Sequence, residues 1–215
     1  MYVPPHFEQH DSDAVRAAIR AARLATIVTQ TDGSFFASHI PMLLEDAPAP
    51  HGRLIGHLAR ANPHGKAIGE GAEALVMFMG PDAYVSPSLY ETKREHGKVV
   101  PTWNYVAVHV TGRVRVIDDR DAVYAIVSRL TQHHESKRAE PWAVTDAPES
   151  YIENQLRGIV GIELTIVHIE PKWKLSQNRE ERDYTGVRAG LAISEDPADR
   201  ALAQAMAEEE PRFRA

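Results

Sequence analysis

The stretch 99–117, VVPTWNYVAVHVTGRVRVI, constrains the fold more than any other part of the chain. Val106, Val108, Val110 and Gly112 fall on one side and Tyr105, His109, Thr111 and Arg113 on the other, which is the two-residue period of a strand. Such length suits a barrel. Shorter β-branched or apolar runs surround it, at 24–29, 35–44, 53–58, 74–79, 83–86 and 159–169. Thr31-Asp32-Gly33-Ser34 supplies turn chemistry between the first two, which makes them a hairpin. Pro48, Pro50 and Gly52 mark 45–52 as a loop, and Gly80-Pro81 closes 74–79, so 83–86 reads as a separate partner strand. The polar, mixed-charge segment 87–98 reads as a loop.

Helical spacing of apolar residues predicts helices over 13–23, 119–133 and 148–157, and an Ala/Glu-rich helical tail over 196–215. A further short helix starts at Pro63, with Asn62 as its N-cap. Nothing alternates regularly as strand, helix, strand, so a doubly wound sheet is disfavoured. The expected fold is mainly β with helices, a β-barrel or roll with helical additions, in a single domain over 1–215.

Composition narrows the function. The chain is 43% hydrophobic and 25% charged, an ordinary globular balance. It has no cysteine, which removes disulfides, thiolate metal sites and thiol nucleophiles. No apolar run approaches the ~20 residues of a membrane span, and the first residues do not resemble a secretory leader, so a cytoplasmic location without membrane contact is expected. A formal charge of -6 argues against direct DNA binding. Arg113, Arg115, Lys172, Lys174 and Arg179 could form a local basic patch, although scattered surface charge is the commoner reading.

Three segments could carry chemistry. In Gly56-His57-Leu58-Ala59-Arg60-Ala61-Asn62-Pro63-His64-Gly65-Lys66 a strand ends and a helix begins, so backbone N–H groups converge on a possible anion site, with an ordinary capped helix as the bland alternative. Trp103-Asn104-Tyr105 could stack on a planar ring and hydrogen-bond its edge, or plug a barrel mouth. Residues 172–179, KWKLSQNR, gather amide and guanidinium donors after the last strand, which a solvated loop explains nearly as well. Eleven histidines raise the question of metal, but His133-His134-Glu135 lacks the helical spacing of a ligand pair, and no metal site is expected. GxGxxG, GxxxxGK[ST] and GxSxG are absent, which disfavours dinucleotide, P-loop and hydrolase chemistry.

The order of the segments resembles the PaiB-like FMN-binding negative transcriptional regulators. The resemblance is carried by Ala37-Ser38-His39-Ile40-Pro41, Gly56-His57-Leu58-Ala59 with Asn62-Pro63, Val100-Pro101-Thr102-Trp103-Asn104-Tyr105 and Lys174-Leu175-Ser176-Gln177-Asn178-Arg179. It implies a split barrel akin to pyridoxamine-phosphate oxidases, assembled as a homodimer with FMN at the subunit interface. By that analogy Asn62, His64 and Lys66 meet the phosphate, and Ser38, His39, His57 and Leu58 line the ribityl side and ring edge. Trp103, Asn104 and Tyr105 close the pocket, and Gln177 and Arg179 reach across the dimer. A flavin-binding regulatory module is one implied function. The alternatives are an FMN-dependent oxidoreductase, or a haem-binding relative, acting on a small molecule, and a DNA-binding repressor.

Overall fold

A computed structural model describes residues 1–69 and 71–209. The strands are β1 (Ala25–Thr31), β2 (Ser34–Ile40), β3 (Leu43–Glu45), β4 (Arg53–Ala59), β5 (Glu73–Val85), β6 (Thr102–Ile117) and β7 (Ile159–Lys174). They form one seven-stranded sheet in the order β2-β1-β5-β6-β7-β4-β3. The helices are α1 (Ser12–Ala21), α2 (Pro63–Ala67), α3 (Lys93–His96), α4 (Arg120–Glu135), α5 (Glu149–Arg157), α6 (Glu181–Ala192) and α7 (Pro197–Glu208). Helix α7 occupies the described part of the expected tail; residues 210–215 lie outside the described residues. Among the described residues no helix is long and apolar enough to cross a membrane.

The chain divides into two compact units. The larger comprises Ile19–Phe78 and His109–Ile169. Its β1–β2 hairpin pairs Thr31 with Ser34 across Asp32 and Gly33, both at positive φ (51° and 76°), the conformation a two-residue primed turn demands. Strand β1 pairs antiparallel with β5 from Ala25↔Phe78 to Thr29↔Ala74, and β4 with β7 from Arg53↔Thr165 to Ala59↔Ile159. Ile27, Leu54, Val76, Ile162 and Leu164 are fully buried. A second cluster joins Ile55 and Ile117 to Val123, Ile126 and Leu130 of α4 and Leu156 of α5. Buried Glu163 on β7 accepts from Arg53 Nη1 and Arg115 Nε, both at 2.8 Å, and Arg53 also donates to Glu45, which bonds Arg129 of α4. The result is a polar chain linking β6, β7, β4, β3 and α4.

The other unit comprises Met1–Ala18, Met79–Val108 and Glu170–Ala215. Here Tyr184, Val187 and Leu191 of α6 and Leu202, Ala203 and Met206 of α7 are buried. Asp183 of α6 accepts from both the backbone N–H and the hydroxyl of Thr92, at 2.9 and 2.7 Å.

Two expectations change. The runs 74–79 and 83–86 are one continuous strand, β5, rather than a hairpin around Gly80-Pro81. A Cβ at Gly80 would come within 2.9 Å of the Val106 side chain, so this glycine permits a close approach and makes no turn. The tail end of KLSQNR leads into α6, which sequence periodicity did not reveal, and 87–98 contains α3 and a 3-10 turn rather than loop alone.

Candidate functional site

In the larger unit the strand-to-helix junction is built, but its polar groups face one another. Pro63 has no N–H, the N–H of His64 donates to Asn62 Oδ1 at 2.9 Å, and that of Gly65 donates to the Asn62 carbonyl at 3.2 Å. The expected anion site at this helix start is therefore taken up by the cap itself. The His64 ring, only 1% exposed, meets Ser38 Oγ at 2.9 Å through Nδ1 and Thr29 Oγ1 at 3.0 Å through Nε2. Asn62 Nδ2 donates to the same Ser38 oxygen. One directed chain satisfies every contact: Asn62 amide to Ser38 oxygen, Ser38 hydroxyl to Nδ1, Nε2–H to Thr29. The opposite sense, Nδ1–H to the Ser38 oxygen and the Thr29 hydroxyl to Nε2, satisfies the same three contacts, so both tautomers of the neutral ring fit. Burial also lowers the His64 pKa, which agrees with neutrality.

The role expected of His64 as a phosphate contact is corrected accordingly, since both ring nitrogens are engaged inside the protein. Ser38 and His39 also separate. Successive strand residues face opposite sides, so Ser38 is buried while His39 is exposed and meets Thr26 Oγ1 through Nδ1 at 2.9 Å. The same alternation sends the Leu58 side chain into the core at 2% exposure and leaves His57 half-buried on the other side of β4. His57 Nδ1 is buried with no hydrogen-bond partner, and burial lowers this ring's pKa as well. Arg60 is held by the carbonyls of Arg157 and Ile159 and by Asp118, whereas Lys66 is exposed.

The smaller unit gathers the remaining candidates. Asn104 of β6 is fully buried; its Nδ2 donates to Ser176 Oγ at 2.8 Å, and its Oδ1 has no partner. Trp103 is 55% exposed and sits edge-on to Tyr84, itself 48% exposed, with ring centroids 5.9 Å apart. Lys172 Nζ lies 5.2 Å from the Tyr105 ring centroid and donates to the Tyr2 carbonyl. Lys174 Nζ donates to Thr102 Oγ1 at 2.7 Å and to the Trp103 carbonyl. The Arg179 guanidinium lies 4.9 Å from the Tyr90 ring centroid.

Among the described residues, none of Lys172, Lys174 and Arg179 is ion-paired with a carboxylate. Burial first, then the nearby charges of Lys172 and Arg179, lower the pKa of Lys174. A crowded, partly desolvated set of cations without counter-charge is costly unless an anion completes it. Lys172 and Lys174 stand two apart on β7 and so share a face, a spacing visible in the sequence although scattered surface charge is the commoner reading of such residues. Gln177 spends its side chain on its own turn, accepting from Leu175 N–H and donating to the Trp173 carbonyl. No group of three His, Asp or Glu able to hold a metal ion occurs among the described residues.

Residues 1–168 match the family described as "Putative FMN-binding domain". Over 206 residues the chain is 32% identical to the Protease synthase and sporulation protein PAI 2 of Bacillus subtilis, covering 96% of each chain. This chain belongs to the PaiB-like FMN-binding family. The PaiB-like chain is also 37% identical over 186 residues to a protein of Emericella nidulans, covering 72% of this chain and 74% of that one. Its fold is similar to that of the FAD and heme binding protein from Mycobacterium smegmatis, with a TM-score of 0.57, 20% identity, and 78% of this chain and 73% of that one covered. The flavocytochrome Anf3 from Azotobacter vinelandii is similar at a TM-score of 0.57 and 18% identity, with 86% and 78% covered. The fold is thus the split barrel with helical additions implied by the sequence resemblance. In this PaiB-like chain the turn bearing Gln177 and Arg179 lies beyond the segment matched by the family, while Trp103, Asn104 and Tyr105 lie inside it.

Proposed function

We propose that the protein is an FMN-binding regulatory module that acts as a cytoplasmic homodimer. The observation that carries the cofactor reading is the set Lys172, Lys174 and Arg179, without carboxylate partners among the described residues, in the same unit as the exposed Trp103–Tyr84 pair. FMN joins a planar ring to a phosphate, and these residues offer a stacking face and positive charge for those two parts. A phosphate would also relieve the like-charge crowding around Lys174. Family membership supports the same cofactor. Bound flavin would supply the redox-active ring, while the protein's own groups hold the phosphate and cover one ring face. The regulatory part needs no direct DNA contact, in keeping with the formal charge of -6.

Titration with FMN, followed by flavin fluorescence, tests the proposal. Saturable binding at micromolar flavin is expected, weakened roughly tenfold by Lys174→Ala or Arg179→Ala, in line with loss of a charge-assisted contact. Riboflavin, which lacks the phosphate, should bind more weakly. Equal affinity for riboflavin and FMN would remove the phosphate assignment, and no saturable binding would remove the cofactor. Bleaching of bound flavin by NADH or NADPH with turnover would replace the regulatory role by that of an oxidoreductase. Sedimentation of a single 23.9 kDa species would refute the dimer.

A further inference from the structure

Each cation of the cluster in the smaller unit sits against an aromatic ring. Lys172 Nζ lies 5.8 Å from the Tyr2 ring centroid and 5.2 Å from that of Tyr105, Lys174 Nζ lies 5.9 Å from that of Phe7, and the Arg179 guanidinium carbon lies 4.9 Å from that of Tyr90. All four separations fall within the reach of a cation–π contact, about 6 Å. The hydrogen bonds of the two lysines go to neutral oxygens, namely the Tyr2 and Trp103 carbonyls and the Thr102 hydroxyl. Arg182, three residues beyond Arg179, is held differently, by the carboxylates of Glu95 and Glu180.

The difference is one of charge. A carboxylate fixes a guanidinium and cancels its charge together, whereas the face of a neutral ring attracts the cation and leaves its charge to act on something else. A side chain seated in this way has also lost part of its rotamer freedom before a ligand arrives, which lowers the entropic cost of binding.

Tyr90 is itself held from both sides. It is 1% exposed. Leu89 before it packs on two glycines of α6: a Cβ at Gly186 would come within 2.5 Å of the Leu89 carbonyl oxygen, and one at Gly190 within 2.4 Å of its side chain. Thr92 after it is bonded twice to Asp183 of the same helix. Helix α6 thus anchors the segment 89–92, and with it the ring that Arg179 covers. The Tyr90 hydroxyl is buried with no hydrogen-bond partner, so what this residue offers the cation is its ring.

We propose that Phe7, Tyr90 and Tyr105 are positioning residues, which hold Lys174, Arg179 and Lys172 in place without neutralising them and so set the preference of the site for a phosphorylated over an unphosphorylated ligand. The inference rests on the flavin reading and names what makes its basic cluster selective.

Titration of the full-length protein and its variants with FMN and with riboflavin, followed by flavin fluorescence, tests it. Tyr90→Leu, which keeps the position apolar but removes the ring, should weaken FMN about fivefold, the size of one cation–π contact, and leave riboflavin unchanged. Tyr90→Phe keeps the ring and should retain the wild-type preference. Tyr105 is only half-buried, so Tyr105→Leu repeats the test where folding is less at stake, and it should lower the preference likewise. Equal losses for the two ligands would mean that the rings merely pack, and a preference unchanged in both leucine variants would mean that the cations need no such seat; either result overturns this proposal alone. Equal affinity of the wild-type protein for FMN and riboflavin would overturn it together with the phosphate assignment.

Discussion

An imidazole enclosed between two hydroxyls has its charge decided by its surroundings. His64 meets Ser38 and Thr29 through its two ring nitrogens, and burial penalises its charged form. His57, with its buried and unpartnered Nδ1, is under the same penalty. Both rings therefore stay neutral below their ordinary value of 6.5, while the unfolded chain takes up protons there. Above that pH neither state binds a proton and the two rings confer no pH dependence. Below it the unfolded chain binds more protons, so stability must fall as pH drops. Urea midpoints should accordingly decline from about pH 7 to about pH 5, and His64→Gln should flatten the decline even where it lowers stability overall. Asn62 tests the neighbouring contact. Asn62→Ala removes the cap on α2 and the donor to Ser38 together, and should cost about 1–2 kcal/mol in chemical denaturation. That Asn62 caps a helix was legible from Asn-Pro alone. That the cap consumes the N–H groups expected to bind an anion was not, because the competing acceptors are set by the turn's own geometry.

Strand alternation and turn chemistry act over a few residues, which is why the β1–β2 hairpin, the long β6 and the starts of α2, α4 and α7 correspond to features in the sequence. Glycine is where local reading misleads, since the same residue serves a turn or a close approach. Gly80 lies within β5, and Gly112 within β6 lies where a Cβ would be 2.1 Å from the Thr165 carbonyl oxygen on β7. Gly112→Ala must push two strands apart and should cost about 3 kcal/mol, whereas Gly80→Ala, which meets a side chain, should cost less. Thermal melts of the two variants check the order, and a reversed order would contradict the assigned strand contacts. The Glu163 chain gives a further expectation. Glu163→Gln leaves Arg53 and Arg115 without their shared carboxylate and should destabilise by roughly 2 kcal/mol, less than a fully buried pair because both arginines retain solvent.

At the scale of the whole molecule, an acidic chain carries a local basic cluster in its smaller unit. If the cluster binds FMN in the folded state alone, the cofactor stabilises the protein by mass action, by about 2.7 kcal/mol at a hundredfold excess over its dissociation constant. A rise in melting temperature with FMN, smaller with riboflavin and reduced by salt, is the expected pattern. No rise at saturating flavin would contradict it. The long strand β6, the β1–β2 hairpin turn, the starts of α2, α4 and α7 and the alternation of side chains were determined by the amino-acid order itself, because each depends on neighbours along the chain. The resemblance in ordered motifs likewise reached the family and fold. Only the tertiary structure decided which polar groups remained available. It engaged His64 with Ser38 and Thr29 and, among the described residues, left Lys172, Lys174 and Arg179 without a carboxylate partner. The physical reason is that a group's partners come from residues distant in sequence, and a functional site is made of what those partners leave unsatisfied.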